Sequence, residues 1–142
     1  MKVLFDTNVV LDVLLDRHPF RDTAAQLIAK VERKELKGVL GATTLTTLYY
    51  LVAKVSGKEA ARSAVRDVLV LFEIAAVDRS VLARAIDSPL ADFEDAVLVE
   101  AGALEGVEAV VTRDPDGFRE SRFRVFSPQE LHAASGSIQE AR

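Results

Sequence analysis

The sequence contains no cysteine, which excludes disulfides, thiolate nucleophiles, cysteine-ligated zinc and iron–sulfur clusters. Only two histidines are present, His18 and His132, and they do not form a histidine-rich cluster. Because zinc in proteins is held mainly by cysteine and histidine, the composition also disfavours a zinc site. The lack of cysteine agrees with a reducing compartment.

No apolar run approaches the roughly 18–20 residues that are needed to span a bilayer. The first acidic residue, Asp6, comes too early for a secretory signal peptide. We therefore expect a cytoplasmic protein with no membrane segment. The phosphate-binding, dinucleotide-binding and serine-hydrolase motifs GxxxxGK[ST], GxGxxG and GxSxG are also missing, which argues against those three enzyme classes.

The 142 residues, 49% hydrophobic and 28% charged, match one ordinary globular domain. Short apolar runs with the length of buried strands occur at 3–5, 39–42, 72–77, 108–111 and 123–126. In most of the stretches between them, apolar residues recur at helical spacing, which predicts helices. Gly38 is predicted to end the second helix, and Thr43 or Thr44 to cap the third. We predict a folded domain at residues 1–134 and a loose tail at 135–142.

Strands separated by helices, without tight hairpin signals, favour crossover connections and parallel pairing. The predicted fold is an α/β three-layer sandwich with a mostly parallel sheet of four to five strands. In such sheets ligands bind beyond the carboxyl ends of the strands, so the polar residues found there are the candidates for function.

Two aspartates occupy such positions, and two more form a pair at the start of a late helix. Asp6 follows the first strand, Asp114 follows the fourth, and Asp92 and Asp95 open a late helix three residues apart, on one face. Taken singly, each has a structural explanation, as a helix cap, a partner of the helix dipole or the start of a turn. Taken together, they predict a cluster at one edge of the sheet.

Such a cluster requires a counter-cation. Two carboxylates brought to about 5 Å repel each other by on the order of 3 kcal/mol at an effective dielectric constant of 20. Carboxylate oxygens and water are the ligands that suit Mg²⁺ or Mn²⁺. The sequence therefore predicts a magnesium or manganese site, and such sites commonly serve phosphate chemistry.

The net charge of −4 argues mildly against broad, unaided binding of nucleic acid. A local basic stretch is nevertheless present near the C-terminus, formed by Arg113, Arg119, Arg122 and Arg124. It is either a phosphate contact or an ordinary solvated face.

Three motifs resemble those of the PIN-domain family, over residues 1 to about 132. They are Phe5-Asp6-Thr7-Asn8, Asp92-Phe93-Glu94-Asp95-Ala96 and Val111-Thr112-Arg113-Asp114-Pro115-Asp116-Gly117-Phe118. The resemblance is to the prokaryotic branch that includes the toxins of toxin–antitoxin pairs. It implies an endoribonuclease that hydrolyses RNA phosphodiesters with Mg²⁺ or Mn²⁺, and it implies a homodimer and a protein antitoxin as partners.

The resemblance also implies roles for individual residues. Asp6, Asp95 and Asp114, with Asp92 as a fourth member, become the catalytic and metal-binding acids. Supporting roles fall to the polar residues Asn8, Thr112 and Asp116.

The sequence departs from the family at one place. Many PIN nucleases carry a glutamate on the helix after the second strand, but Thr47 stands there, and residues 43–50 contain no acid. Asp12 or Asp116 could replace the missing carboxylate. The departure leaves a second hypothesis open, a catalytically weak or silent module that binds RNA or protein. A phosphatase or receiver-like domain ranks lower, since no lysine follows a late strand.

The same helix is unusually apolar around Tyr49 and Tyr50. It is either a core helix or the contact surface of a homodimer.

Overall fold

Five short strands form the sheet at the centre of the protein. The computed structural model describes residues 1–140, and the side chains of residues 1–136. The strands are β1 (Lys2–Phe5), β2 (Lys37–Gly41), β3 (Glu73–Ala75), β4 (Ala109–Val111) and β5 (Arg124–Phe126). Their order is β3-β2-β1-β4-β5, and all four pairings are parallel. The predicted fold class is confirmed, with a sheet that is parallel throughout the described chain.

Seven α-helices connect or follow the strands within residues 1–140. They are α1 (Thr7–Leu14), α2 (Arg21–Glu32), α3 (Ala42–Ser56), α4 (Lys58–Leu71), α5 (Arg79–Ile86), α6 (Phe93–Leu104) and α7 (Pro128–Glu140). A short 3₁₀ helix, Pro115–Phe118, lies between β4 and β5. None of the helices in the described part of the chain is long and apolar enough to cross a membrane.

The alternation of side chains along each strand divides the core into two layers. Val3 and Phe5 of β1 point to one side, where they pack with α1, α2, α3, α4 and α7. Leu4 points to the other side and packs with α5 and α6. Because both faces of the sheet are covered, the strands are almost wholly apolar. This is the predicted three-layer arrangement.

Two local predictions were wrong. Gly38 does not end α2 but lies inside β2, where a Cβ atom would stand 2.6 Å from the ring of Phe72. Close packing of α4 against the strand therefore requires glycine at this position. The cap of α3 is Gly41 rather than Thr43 or Thr44, because the helix already begins at Ala42.

The C-terminal helix continues past the predicted end of the domain at residue 134. Ser135 lies within α7 and is buried, and its hydroxyl accepts a hydrogen bond of 2.7 Å from Lys30 Nζ on α2. The same ammonium group donates to the carbonyl oxygen of His132 at 3.3 Å. The loose tail predicted from Ser135 is thus replaced by helix up to Glu140, and residues 141–142 lie outside the described residues.

Candidate metal centre

Asp6 lies between the carboxyl end of the central strand, β1, and the start of α1. It is the N-cap of α1, and its Oδ1 accepts a hydrogen bond of 2.8 Å from the backbone N–H of Thr7. Its Oδ2 accepts a hydrogen bond of 2.7 Å from the hydroxyl of Thr112. With 8% of its surface exposed, the residue is buried, and both carboxylate oxygens are fixed by these two donors.

The turn after β4 is anchored to the same place. β4 pairs directly with β1, so Thr112 leaves the sheet beside Asp6. The Thr112 hydroxyl oxygen accepts from the backbone N–H of Asp114 at 2.9 Å, which orients the turn that carries this acid. Asn8 contacts the turn rather than Asp6, since its Oδ1 accepts from the N–H of Arg113 at 3.5 Å.

Asp92 and Asp95 begin α6 as the sequence predicts. Asp92 is the N-cap, and its Oδ1 accepts from the backbone N–H of Asp95 at 3.0 Å. Asp95 is half-buried and faces Asp114 across Gly117. A Cβ atom on Gly117 would stand 3.3 Å from Asp95 Oδ2 and 3.0 Å from Asp114 Oδ2. The absence of a side chain at this glycine leaves a space between two carboxylates.

The charges of the four aspartates act on one another. The pKa of Asp95 is raised to about 7, mainly by burial and then by the negative charges of Asp6, Asp92, Asp114 and Glu94. The pKa of Asp6 is also raised, mainly by burial, with smaller contributions from the charges of Asp114 and Asp92. The hydrogen bonds from Thr112 and Thr7 oppose that rise. The structure therefore brings the four predicted acids into one electrostatic cluster.

The donor set fits a hard divalent cation, although the side chains do not form a closed cage. Among residues 1–136, no group of three or more acids or histidines is arranged so that it could hold a metal ion as the side chains stand. The cluster is open, since Asp92 and Asp114 are exposed. Its oxygen-only donors, its excess negative charge and the space above Gly117 are the features that favour Mg²⁺ or Mn²⁺.

Two further acids do not join the cluster. Asp12 is fully buried on α1, where Arg113 donates to it from Nε at 2.6 Å and from a terminal nitrogen at 3.1 Å. Asp116 is exposed and pairs with Arg119 at 2.7 Å. Each carboxylate thus has its own arginine, and neither stands in the place of the missing glutamate.

The basic stretch near the C-terminus is likewise divided among separate partners. Besides Arg113 and Arg119, Arg122 pairs with Glu100 at 2.8 Å, and Arg124 lies over the ring of Phe126 at 4.9 Å. The guanidinium groups of Arg113, Arg119 and Arg122 are thus ion-paired. The stretch is therefore not one shared phosphate-binding surface.

A family model described as a PIN domain matches residues 2–116 of the chain. The chain belongs to the PIN-domain family. Ribonuclease VapC1 from Aquifex aeolicus (strain VF5) is 25% identical to it over 118 residues, a match that covers 80% of this chain and 81% of the relative.

Solved structures share the fold of this PIN domain. VapBC2 from Rickettsia felis, bound to a DNA fragment from its promoter, matches with a TM-score of 0.68 and 18% identity over 89% of this chain and 98% of that one. A toxin–antitoxin complex from Klebsiella pneumoniae matches with a TM-score of 0.66 and 22% identity, over 89% and 97% of the two chains. Identities this low show the likeness of fold alone.

A pocket occupies the place where the family resemblance implies a glutamate. It has a volume of about 260 Å³ and is lined by hydroxyl and carboxylate groups from Thr7, Thr43, Thr44, Thr46, Thr47 and Glu94. Thr7 and Glu94 are the chain neighbours of Asp6 and Asp95, so the pocket adjoins the acid cluster. The sequence shows the missing acid but not this pocket, because α1, α3 and α6 meet only in the folded chain.

The apolar helix α3 is partly a core helix. Leu48 and Val52 are buried against the rest of the PIN domain, whereas Tyr50 and Val55 are 64% and 69% exposed. Leu69 and Val70 on the adjoining α4 are also exposed, at 52% and 84%. The core interpretation therefore holds for one face of α3, and an exposed apolar surface remains beside it.

Proposed function

We propose that this PIN domain is a metal-dependent endoribonuclease in which Asp6, Asp92, Asp95 and Asp114 bind Mg²⁺ or Mn²⁺ and act on RNA phosphodiesters. The observation that carries the proposal is the pair of carboxylates, from Asp95 and Asp114, that face each other across Gly117 beside the buried Asp6. Uncompensated charge of this kind is costly in a folded protein and is kept where function uses it.

The relatives support the nature of the substrate. The curated relative is a ribonuclease, and membership of the PIN-domain family favours nuclease chemistry over a phosphatase or receiver-like domain. We extend RNA cleavage to this chain on that basis. The acidic cluster supports it independently, because its oxygen donors and excess negative charge favour a divalent cation of the kind that serves phosphate chemistry.

The residues of the chain have distinct roles in this proposal. Asp6 is the most firmly held ligand, since Thr112 and Thr7 fix its two oxygens. Asp92 and Asp95 approach from α6, and Asp114 approaches from the turn that Thr112 orients. When bound, the divalent ion would activate a water molecule and neutralise charge on the phosphoryl oxygens.

The same proposal includes two protein partners. Both of the solved structures described above contain a toxin together with its antitoxin, which supports a toxin role and an antitoxin partner for this chain. A homodimer is supported by the exposed apolar side chains Tyr50, Val55, Leu69 and Val70 on α3 and α4.

The second candidate is a catalytically weak or silent module that binds RNA or protein. Two observations favour it: Thr47 stands where a glutamate is implied, and the acids do not enclose a metal ion among the described side chains. Fewer anionic ligands mean lower affinity for the cation. This candidate predicts RNA binding without turnover.

Cleavage of RNA by the purified chain separates the two candidates. The ribonuclease proposal predicts cleavage in Mn²⁺ or Mg²⁺ that stops in EDTA and is absent in Asp6→Asn. Retardation of RNA without cleavage at saturating Mn²⁺ would favour the silent module. Cleavage that needs Mn²⁺ or Mg²⁺ but is equally fast in the wild type and in Asp6→Asn would reject the proposed site.

A further inference from the structure

The threonine-lined pocket beside the acid cluster is large enough for one small chemical group but too small for a whole drug-sized ligand. Its volume of about 260 Å³ falls just below the roughly 300–1,000 Å³ of pockets for drug-sized molecules. Leu82, Phe93, Val97 and Leu98 form its apolar part, and five threonines and Glu94 form the remainder. This combination of apolar and polar lining suits a flat group that has polar atoms along its edge.

Three side chains of the pocket, Thr46, Thr47 and Glu94, offer hydrogen-bond acceptors to a ligand. The hydroxyls of Thr46 and Thr47 donate to the carbonyl oxygen of Thr43, at 2.9 and 3.4 Å, so their oxygens retain acceptor capacity towards a ligand. The carboxylate of Glu94 can only accept when ionised. A ligand with N–H donors is therefore favoured, and a phosphate group is disfavoured by the negative charges of Glu94 and the neighbouring aspartates.

An aromatic ring stands at the same opening. Phe93 is the first residue of α6, is 47% exposed and lines the pocket. Exposed aromatic side chains next to donors or acceptors are the usual means by which proteins hold unpaired RNA bases. The ring supplies a stacking surface that does not depend on the identity of the base, whereas Glu94 can distinguish between bases.

We propose that this pocket binds one unpaired nucleobase of the RNA, stacked on Phe93 with its N–H donors facing Glu94. The proposal rests on the ribonuclease function for the position of the neighbouring phosphate at the aspartates. Guanine fits best, because its N1–H and N2–H₂ donors lie side by side and match the two oxygens of a carboxylate. Uracil presents a single N–H between two carbonyl oxygens, which the acceptor-rich pocket repels.

The test measures binding, so that it does not depend on turnover. Short fluorescein-labelled single-stranded RNAs, identical except for one nucleotide, are titrated by fluorescence anisotropy at fixed salt against the Asp6→Asn chain. We expect the guanine RNA to bind about tenfold more tightly than the uracil RNA. Adding Phe93→Ala lowers the affinity for all of the RNAs by about tenfold, whereas Phe93→Trp retains it.

Glu94→Gln is expected to reduce the preference for guanine over uracil to about twofold or less, because the amide offers one acceptor in place of two. Leu104→Ala, which removes an exposed side chain at the opposite end of α6 and outside the pocket, serves as the control and leaves all affinities unchanged. Equal binding of all the RNAs, or unchanged binding in Phe93→Ala and Glu94→Gln, would overturn the proposal. The pocket would then better suit an apolar side chain of a protein partner.

The failure of this proposal is distinct from the failure of the ribonuclease function. Cleavage of the guanine RNA by the wild-type chain in Mn²⁺ is scored separately. Cleavage without base preference in the binding assay rejects the base pocket alone. In a further outcome, the wild-type chain fails to cleave RNA while the binding assay shows a base preference that Glu94→Gln abolishes. That outcome supports the base pocket and rejects the ribonuclease function.

Discussion

Thr112 Oγ1 donates a hydrogen bond of 2.7 Å to Asp6 Oδ2 and so joins two residues that are 106 positions apart in the chain. The same hydroxyl oxygen accepts from the N–H of Asp114. Thr112 thereby connects Asp6, at the end of the central strand β1, with Asp114, on the turn after the neighbouring strand β4. The relative placement of the two carboxylates depends on this side chain.

Thr112→Val removes this connection while keeping the shape of the side chain. Because Asp6 and Thr112 are buried, the variant leaves a carboxylate oxygen without its donor, and we expect a loss of about 1–3 kcal/mol in the free energy of unfolding. Urea denaturation measures the loss, and a titration with Mn²⁺ should show weaker binding. Ser63→Ala, an exposed hydroxyl deletion on α4, should stay within about 0.5 kcal/mol of wild type. Equal stability of the two variants would contradict the role of Thr112.

Gly117→Ala tests the space between Asp95 and Asp114. The new Cβ atom would stand 3.0 Å from one carboxylate oxygen and 3.3 Å from the other, so the two acids must move apart. We expect weaker Mn²⁺ binding by isothermal titration calorimetry, with the fold retained by circular dichroism. At Gly136 on α7 no atom lies within 4 Å of an added Cβ, so Gly136→Ala should leave Mn²⁺ binding unchanged. Unaltered affinity in Gly117→Ala would place the cation elsewhere.

The raised pKa of Asp95 predicts a dependence of stability on pH. Its pKa is 3.8 for the free side chain and about 7 in the folded protein. Between these values the folded state binds more protons than the unfolded state, so Asp95 lowers the free energy of unfolding as the pH rises through this window. Below the window the carboxyl group is protonated in both states, and above it the whole cost is present.

Urea denaturation in EDTA at several pH values measures this effect. Relative to Asp95→Asn, the wild-type chain should lose stability between about pH 4 and about pH 7 and change little above that range. Because protons compete with the cation, Mn²⁺ affinity of the wild type should fall as the pH is lowered through about 7. Parallel pH profiles for the two chains would show that Asp95 does not titrate as described.

The ion pair between Asp12 and Arg113 anchors the turn that carries Asp114 to α1. Asp12 is fully buried, and Arg113 also stacks on Phe20 at 4.0 Å. Arg113→Met leaves a buried carboxylate without its partner, and we expect it to cost about 3–5 kcal/mol in the free energy of unfolding. Arg119→Met breaks an exposed pair with Asp116 and should cost less than about 1 kcal/mol. Equal losses in urea denaturation would refute the structural role of Arg113.

Much of the fold follows from local patterns in the sequence. The capping roles of Asp6 and Asp92 agree with the structure, because side-chain capping acts over a few residues. Gly38 was misread because its reason is tertiary. Only the packing of Phe72 against β2 shows why a side chain is not tolerated there.

The candidate site likewise has features that local sequence patterns predict and features that only the folded chain shows. The acids could be named from their places after strands and at the start of α6, and the family resemblance implied a supporting role for Thr112. The pairing of Asp12 with Arg113 and the threonine pocket could not, because each joins segments that are distant in sequence. The continuation of the C-terminal helix past residue 134 could not be predicted for a similar reason, since Lys30 on α2 holds Ser135 in place.

The most direct measurement is metal-dependent cleavage of RNA by Asp95→Asn compared with Asp22→Asn. Both variants neutralise an aspartate in the first turn of a helix, but Asp22 is exposed on α2, away from the cluster. If the aspartate cluster cleaves RNA, Asp95→Asn abolishes the EDTA-sensitive activity with its circular dichroism spectrum intact, and Asp22→Asn cleaves like the wild type. Wild-type cleavage by Asp95→Asn would contradict the assignment of the active site to this cluster.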